Sequence, residues 1–261
     1  MTGVGNARYP CTDNPTRTLA PLGRRSQCVV ERRDYGPYVV LTVADDGPAP
    51  DPGQFYMLTA AHRWGGGDDE RPFLPRAFSV MRAREGELDF LLEDVGPGTN
   101  RLAELDRGDE IWVLGPLGRG FRPPRDGRRP VLVGGGVGIA PLAIWGDALG
   151  DPVTLLGFRD AAHAEGAALI PNARVITDDR GLVTDLLRDE LANDVEVYAC
   201  GPPPMLDAVK RIAHDHGVPG QLAMESGMAC GYGACFGCVV PTKRGYVRLC
   251  VDGPVIDADE L

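Results

Sequence analysis

Cys230, Cys235 and Cys238 fall within nine residues of one glycine-rich stretch, MACGYGACFGCVV (228–240), and Cys250 follows in YVRLCVDGP. A short segment carrying four thiols must either wrap around something or hide them in a core. C-x4-C-x2-C with a more distant fourth cysteine is the spacing of plant-type 2Fe–2S sites. Gly231, Gly233 and Gly237 permit positive φ and close backbone approach, so their amides can point at the sulfides of a cluster. Structural zinc also uses four cysteines, but it usually pairs two C-x2-C knuckles, and only one such pair occurs here. Buried free thiols are the third reading.

Size decides what surrounds this segment. A chain of 261 residues, 43% hydrophobic and 25% charged, is long enough for two compact domains and an appendage. The net charge of −10 repels a phosphate backbone on average, which argues against nucleic acid as a partner. The basic run RGFRPPRDGRRP (119–130) reads as a solvated connector because of its prolines. No run of eighteen apolar residues occurs, so no membrane association is expected. Residues 1–23, rich in Pro and Gly, read as a flexible lead-in with neither a signal peptide nor an anchor. A cytoplasmic location follows, and there seven cysteines are a poor disulfide framework.

From about Gln27 to Phe121, short alternating segments such as CVVERRDYGPYVVLTVADDGP and GELDFLLEDVGPG suggest an antiparallel barrel. Beyond the connector, PVLVGGGVGIAPLAIWGDAL, PVTLLGFRD, ARVITDD and VEVYACGPPPMLDAVKRIAHDHG alternate strands with helical segments, the pattern of a parallel sheet. The tail from about Met224 is too short for its own core and depends on a bound metal centre. The expected fold class is therefore a β-barrel plus α/β. The divisions are 24–124 for the barrel, 125–223 for the parallel-sheet domain and 224–261 for the cysteine module.

VLVGGGVGIAPL resembles a dinucleotide-binding turn, with Gly136 and Gly138 at the turn and Pro141 where a third glycine would stand. Arg159 and Asp160 stand at the distance of a ribose partner, so the residues leave NAD and NADP open. Cys200 and Gly201 sit at the carboxyl edge of what reads as the last strand of that sheet, where open α/β folds bind ligands. PRAFSV (75–80) puts Arg76 and Phe78 on one strand face and Ala77 and Ser79 on the other. VGPGTNRL offers the amides of Gly98, Thr99 and Asn100 to a phosphate. His62, His163, His214 and His216 read as surface or helix residues, and no Ser/His/Asp nucleophile system is found.

The order of RAFS, GPGT, GPLGRGF, GGGVGIAPL, CGPPPML and the cysteine stretch resembles the ferredoxin-reductase-type superfamily. More narrowly, it is similar to the iron–sulfur electron-transfer subunits of class 1B dihydroorotate dehydrogenase, over residues 24–258. The resemblance implies FAD in the barrel, NAD in the α/β domain and a 2Fe–2S cluster on Cys230, Cys235, Cys238 and Cys250. It places Arg76 on the FAD pyrophosphate, Phe78 along the isoalloxazine, Ala77 and Ser79 beside them, Leu91, Leu92 and Glu93 on a flavin-contacting strand, and Gly98 and Thr99 in the phosphate turn. Gly136, Gly138 and Pro141 match the nicotinamide-nucleotide loop, with Cys200 and Gly201 near the nicotinamide. Ala77 replaces the usual proline, Leu92–Glu93 stands where Tyr–Arg can occur, and TDDRGLVTDLL (177–187) and the hairpin before Cys250 are short.

The implied activity is electron transfer in pyrimidine (UMP) biosynthesis. Electrons pass from an FMN-containing catalytic subunit that oxidises dihydroorotate, through the cluster and FAD, to NAD, within a heterotetramer. The alternatives are a reductase subunit of a sulfide, hydrogenase or bifurcating enzyme, and a zinc-stabilised nucleotide-binding regulator.

Overall fold

The computed structural model describes residues 23–65, 72–150 and 152–261, so all but the last residue of the expected lead-in lies outside the described residues. Six strands come first: β1 (Arg24–Tyr35), β2 (Tyr38–Ala44), β3 (Phe55–Ala60), β4 (Arg76–Arg84), β5 (Glu87–Glu93) and, after helix α1 (Pro97–Ala103), β6 (Glu110–Leu117). They close an antiparallel barrel in the order β1-β2-β5-β4-β3-β6. Its interior is filled by residues such as Leu41, Val43, Tyr56, Leu58, Phe90 and Leu92. The intervening residues of the same strands, among them Tyr38, Val40, Met81 and Leu91, form a second core with Ile139, Ala140, Ala143, Leu156 and Phe158. Strand β2 therefore reads YVVLTVA, nearly continuous in apolar residues, because both of its faces are covered.

The second unit runs β7 (Arg129–Gly135), α2 (Ile139–Leu149), β8 (Val153–Phe158), β9 (Arg174–Thr177), α3 (Val183–Glu190), β10 (Val195–Cys200), α4 (Pro203–Asp215) and β11 (Gly220–Ala223). The sheet order is β14-β11-β10-β7-β8-β9, parallel except for the three-residue β14 (Val255–Asp257), which returns antiparallel to β11. Strand β10 is not, as the sequence suggested, the last strand of the sheet along the chain: β11 and β14 follow it. Helix α3 begins inside TDDRGLVTDLL, where Leu182 N–H donates to Asp185 Oδ2 at 2.9 Å and starts it.

The basic connector is exposed but pinned, not loosely solvated. Tyr198 Oη–H and Gln221 Nε2–H each donate to Arg122 O at 3.0 Å. Arg125 N–H donates to the fully buried Glu196 at 2.7 Å, and Arg125 Nη2 lies 3.0 Å from Asp257. The cations of this stretch satisfy carboxylates of the neighbouring sheet.

The C-terminal module contains the hairpin β12 (Val239–Thr242) and β13 (Gly245–Arg248), then a helical turn α5 (Leu249–Asp252). Cys250 lies on that turn. The module packs through Cys238, Leu249, Cys250 and Ile256 onto Phe55, Met57 and Leu117 of the barrel. Among the described residues no helix is long and apolar enough to cross a membrane.

Candidate functional site

Two adjoining cavities occupy the junction of the three units. The smaller, about 250 Å³, is lined by Arg76, Ala77, Phe78 and Ser79 of β4, by Leu91 and Glu93 of β5, and by Thr99, Val137 and Ala140. Its remaining wall includes Met224, Glu225, Ser226 and Met228, the segment that leads directly to Cys230. The larger, about 570 Å³, runs along the carboxyl ends of the parallel strands. Gly135–Gly138, Arg159, Asp178, Gly201 and Met205 line it. Val137, Glu93 and Glu225 border both cavities.

Most residues singled out from sequence converge here. The Arg76 guanidinium lies so close over Gly98 that an added Cβ would meet its Nε at 2.4 Å, so only glycine allows the contact. Thr99 Oγ1 accepts from Val95 N–H and donates to Gly96 O, both at 2.9 Å, which fixes the turn. A cation stacked over a glycine turn, beside apolar walls, fits a flavin nucleotide's pyrophosphate and ring. In the larger cavity, Gly138 approaches Cys200 and Gly201 closely: a Cβ there would meet Cys200 C and O at 2.6 Å. This brings the glycine loop against the end of β10, as a dinucleotide crevice requires.

Three expected residues stand behind the cavity walls. Leu92 points into the barrel core and is fully buried, because side chains alternate along β5 and Leu91 and Glu93 take the outward positions. Pro141 is buried in the first turn of α2 and shapes the helix start. Cys200 is 1% exposed and packs with Tyr198 and Ala223, so Gly201 reaches the cavity and the thiol does not. Burial and the nearby Glu225 carboxylate push that thiol well above its ordinary range.

Sequence reading passed over four wall residues: Tyr38, Glu225, Asp178 and His163. Burial raises the pKa of both Tyr38 and Glu225. His163 opens a short 3-10 helix, His163–Leu169, and is 7% exposed. Its Nδ1 lies 2.6 Å from Asp160 Oδ1 and its Nε2 3.2 Å from Glu93 Oε1. Arg159 Nη2–H donates to the same Glu93 oxygen at 2.9 Å. Barrel and sheet thus meet through a charged cluster that no local spacing could disclose.

The cysteine loop has no regular structure from Ser226 to Gly237. Gly231 and Gly233 take φ of 80° and 86°, the region that favours glycine. Cys238 and Cys250 are buried with their sulfurs 3.2 Å apart, while Cys230 is half-buried and Cys235 exposed. Gly237 N–H points at Cys235 Sγ at 3.4 Å and Cys250 N–H at Cys238 Sγ at 3.5 Å. Burial works against the Cys230 thiolate, but N–H groups of Cys235, Tyr232 and Ala234 outweigh it and bring the thiol to about 7. Burial and the Cys238 sulfur push Cys250 up to about 12. Amides directed at clustered sulfur suit an anionic iron–sulfur group. Among the described residues no group of three or more His, Cys, Asp or Glu side chains forms a ready-made site for a single metal ion.

Residues 225–261 match the family model for the iron–sulfur cluster binding domain of dihydroorotate dehydrogenase B. The chain is 38% identical over 266 residues to the dihydroorotate dehydrogenase B (NAD(+)) electron transfer subunit of Geobacillus thermodenitrificans, covering 92% of this chain and 99% of that one. It is 32% identical over 249 residues to the subunit of the same name from Caldanaerobacter subterraneus subsp. tengcongensis, covering 91% and 97%. A solved NADH-dependent reduced ferredoxin-NADP oxidoreductase, described in connection with flavin-based electron bifurcation, superposes with a TM-score of 0.75 at 25% identity, covering 90% of this chain and 88% of that one. The chain belongs to the family of dihydroorotate dehydrogenase B electron transfer subunits.

Proposed function

We propose that this protein is the electron-transfer subunit of an NAD-linked dihydroorotate dehydrogenase, serving pyrimidine biosynthesis in the cytoplasm. Its partner is an FMN-containing catalytic subunit, and the two assemble as a heterotetramer. The observation that carries the reading is the shared wall of the smaller cavity. Barrel residues, Val137 of the glycine loop and the segment 224–228 leading to Cys230 all border it. One site therefore adjoins both a dinucleotide crevice and a cysteine loop.

The units assigned to these tasks are 24–124 for FAD, 125–223 for NAD and 224–261 for the 2Fe–2S cluster. A bound flavin exchanges two electrons as hydride with a nicotinamide and passes them singly to a one-electron centre. The protein's own residues supply position and electrostatics. Arg76 and the Gly98–Thr99 turn hold the FAD pyrophosphate, while Phe78, Ser79 and Leu91 line its ring. Gly136, Gly138 and Gly201 shape the crevice for NAD. Cys230, Cys235, Cys238 and Cys250 hold the cluster, with loop amides tempering its charge. Glu225 stands on the wall common to the two cavities, where burial raises its pKa.

The bifurcating alternative rests on the structural neighbour at 25% identity, whereas the relatives at 32% and 38% identity favour dihydroorotate. The test is co-expression with a candidate FMN-binding catalytic subunit, followed by an assay of dihydroorotate-dependent NAD⁺ reduction. Purified complex with flavin and iron–sulfur bands that reduces NAD⁺ only in the presence of dihydroorotate is the expected outcome. A colourless protein, or a complex indifferent to dihydroorotate, overturns the proposal.

A further inference from the structure

The larger cavity contains an imbalance of charge. Its wall carries three carboxylates, Glu93, Asp178 and Glu225, and among the described residues Arg159 is its one permanently charged cation. A dinucleotide brings a pyrophosphate with two negative charges into this space. The glycine loop can offer it amides, but the Arg159 side chain, 61% exposed, is the cation able to meet it.

That cation is already engaged. Arg159 Nη2–H donates to Glu93 Oε1 at 2.9 Å, and Arg159 Nε lies 3.7 Å from Asp160 Oδ2. Glu93 is only 16% exposed, and it belongs to β5 of the barrel, so its position is fixed independently of the sheet that carries Arg159. His163 Nε2, 3.2 Å from the same oxygen, anchors Glu93 further, and Asp160 holds the other ring nitrogen at 2.6 Å. A half-buried carboxylate from one domain therefore holds an exposed guanidinium from the other.

We infer that Glu93 is a positioning residue that competes with the dinucleotide pyrophosphate for Arg159 and so limits nucleotide affinity. This rests on reading the larger cavity as the NAD site. The consequence is a site that accepts the nucleotide weakly enough to release it after each turnover. Because the pair is well exposed on the arginine side, the restraint is modest, worth about two- to fivefold in binding.

The experiment measures ADP-ribose binding by calorimetry to the purified chain with its cofactors in place. ADP-ribose carries the pyrophosphate but cannot exchange hydride, so the readout is independent of electron transfer. Glu93→Gln should tighten the dissociation constant about two- to fivefold, with a gain that shrinks as salt rises. Arg159→Ala should weaken binding about tenfold. The Glu93→Gln/Arg159→Ala double variant should bind like Arg159→Ala alone, because the competition has lost its object. Glu93→Ala repeats the measurement should the amide perturb packing. Unchanged or weaker binding in both Glu93 variants, or tightening that persists without Arg159, overturns the inference. Failure of the wild-type chain to bind ADP-ribose at all would instead remove the nucleotide site on which it rests.

Discussion

The central sheet and the cysteine loop are ordered by different forces. In the sheet, Val131, Val133, Leu155, Val197 and Ala199 are completely buried and every neighbour strand is hydrogen-bonded in register. Apolar burial and a backbone ladder suffice there. The loop from Met228 to Cys238 has no such ladder, and it reaches an apolar core through Met228 and Cys238 at its two ends. Tyr232 and Phe236 stand 41% and 62% exposed, and Phe236 takes a positive φ of 56°. A non-glycine residue in that conformation is uncommon and costs free energy, and the Phe236 ring meets the Arg248 guanidinium at 5.2 Å. The lesson is that half of this molecule folds for itself and the loop is shaped for what it holds.

The comparison breaks most visibly in the sheet. Leu155→Ala removes a fully buried side chain and should lower global stability by about 2–5 kcal/mol, read from denaturant unfolding of the whole chain. The contrasting change, Cys235→Ser, touches an exposed side chain and should abolish the iron complement while FAD stays bound and the sheet unfolds at the same denaturant concentration. Iron analysis and the visible spectrum check it; full iron retention would remove Cys235 from the ligand set. Next in size is Phe236→Glu. Together with Tyr232 and Tyr246, the latter 81% exposed, Phe236 gives the cysteine module an apolar outer face. A charge there should weaken association with the catalytic subunit about tenfold with the iron retained, measured by titration of one subunit with the other.

The smallest effect concerns Glu225, on the wall common to both cavities. Burial raises its pKa in the folded chain above its unfolded value. Its contribution to stability is therefore fully present below the unfolded pKa and is lost as pH rises through the folded one. Glu225→Gln should melt like wild type at acid pH and higher than wild type at alkaline pH. Identical melting temperatures at both ends would mean that this carboxyl feels no burial.

Where signals are local, the sequence was legible. Cysteine spacing located the loop, period-two alternation located the barrel, and the glycine run located the strand-to-helix turn. What escaped were facts of parity and of meeting. Leu92 and Cys200 sit in the right segments, but one turns into the barrel and the other lies behind the crevice wall. Val255–Asp257 is too short to show alternation, so the return of the chain to the sheet was invisible. Glu93 and His163, seventy residues apart in number, become partners only once the barrel's outer face has packed on α2 and β8. The connector's arginines likewise read as solvent-facing because Glu196 and Asp257 lie far along the chain.

Strand β14 lies beside β11, with Val255 opposite Ala223. The chain leaves the sheet edge after one and rejoins that edge through the other, so the whole metal-binding module is an excursion with both feet on the same rim. Evolution could graft or delete such a detour without rewiring anything beneath it. A flavin reductase lacking the detour would keep the strands of its barrel and crevice, but would lose its one-electron outlet and the wall that residues 224–228 give the smaller cavity.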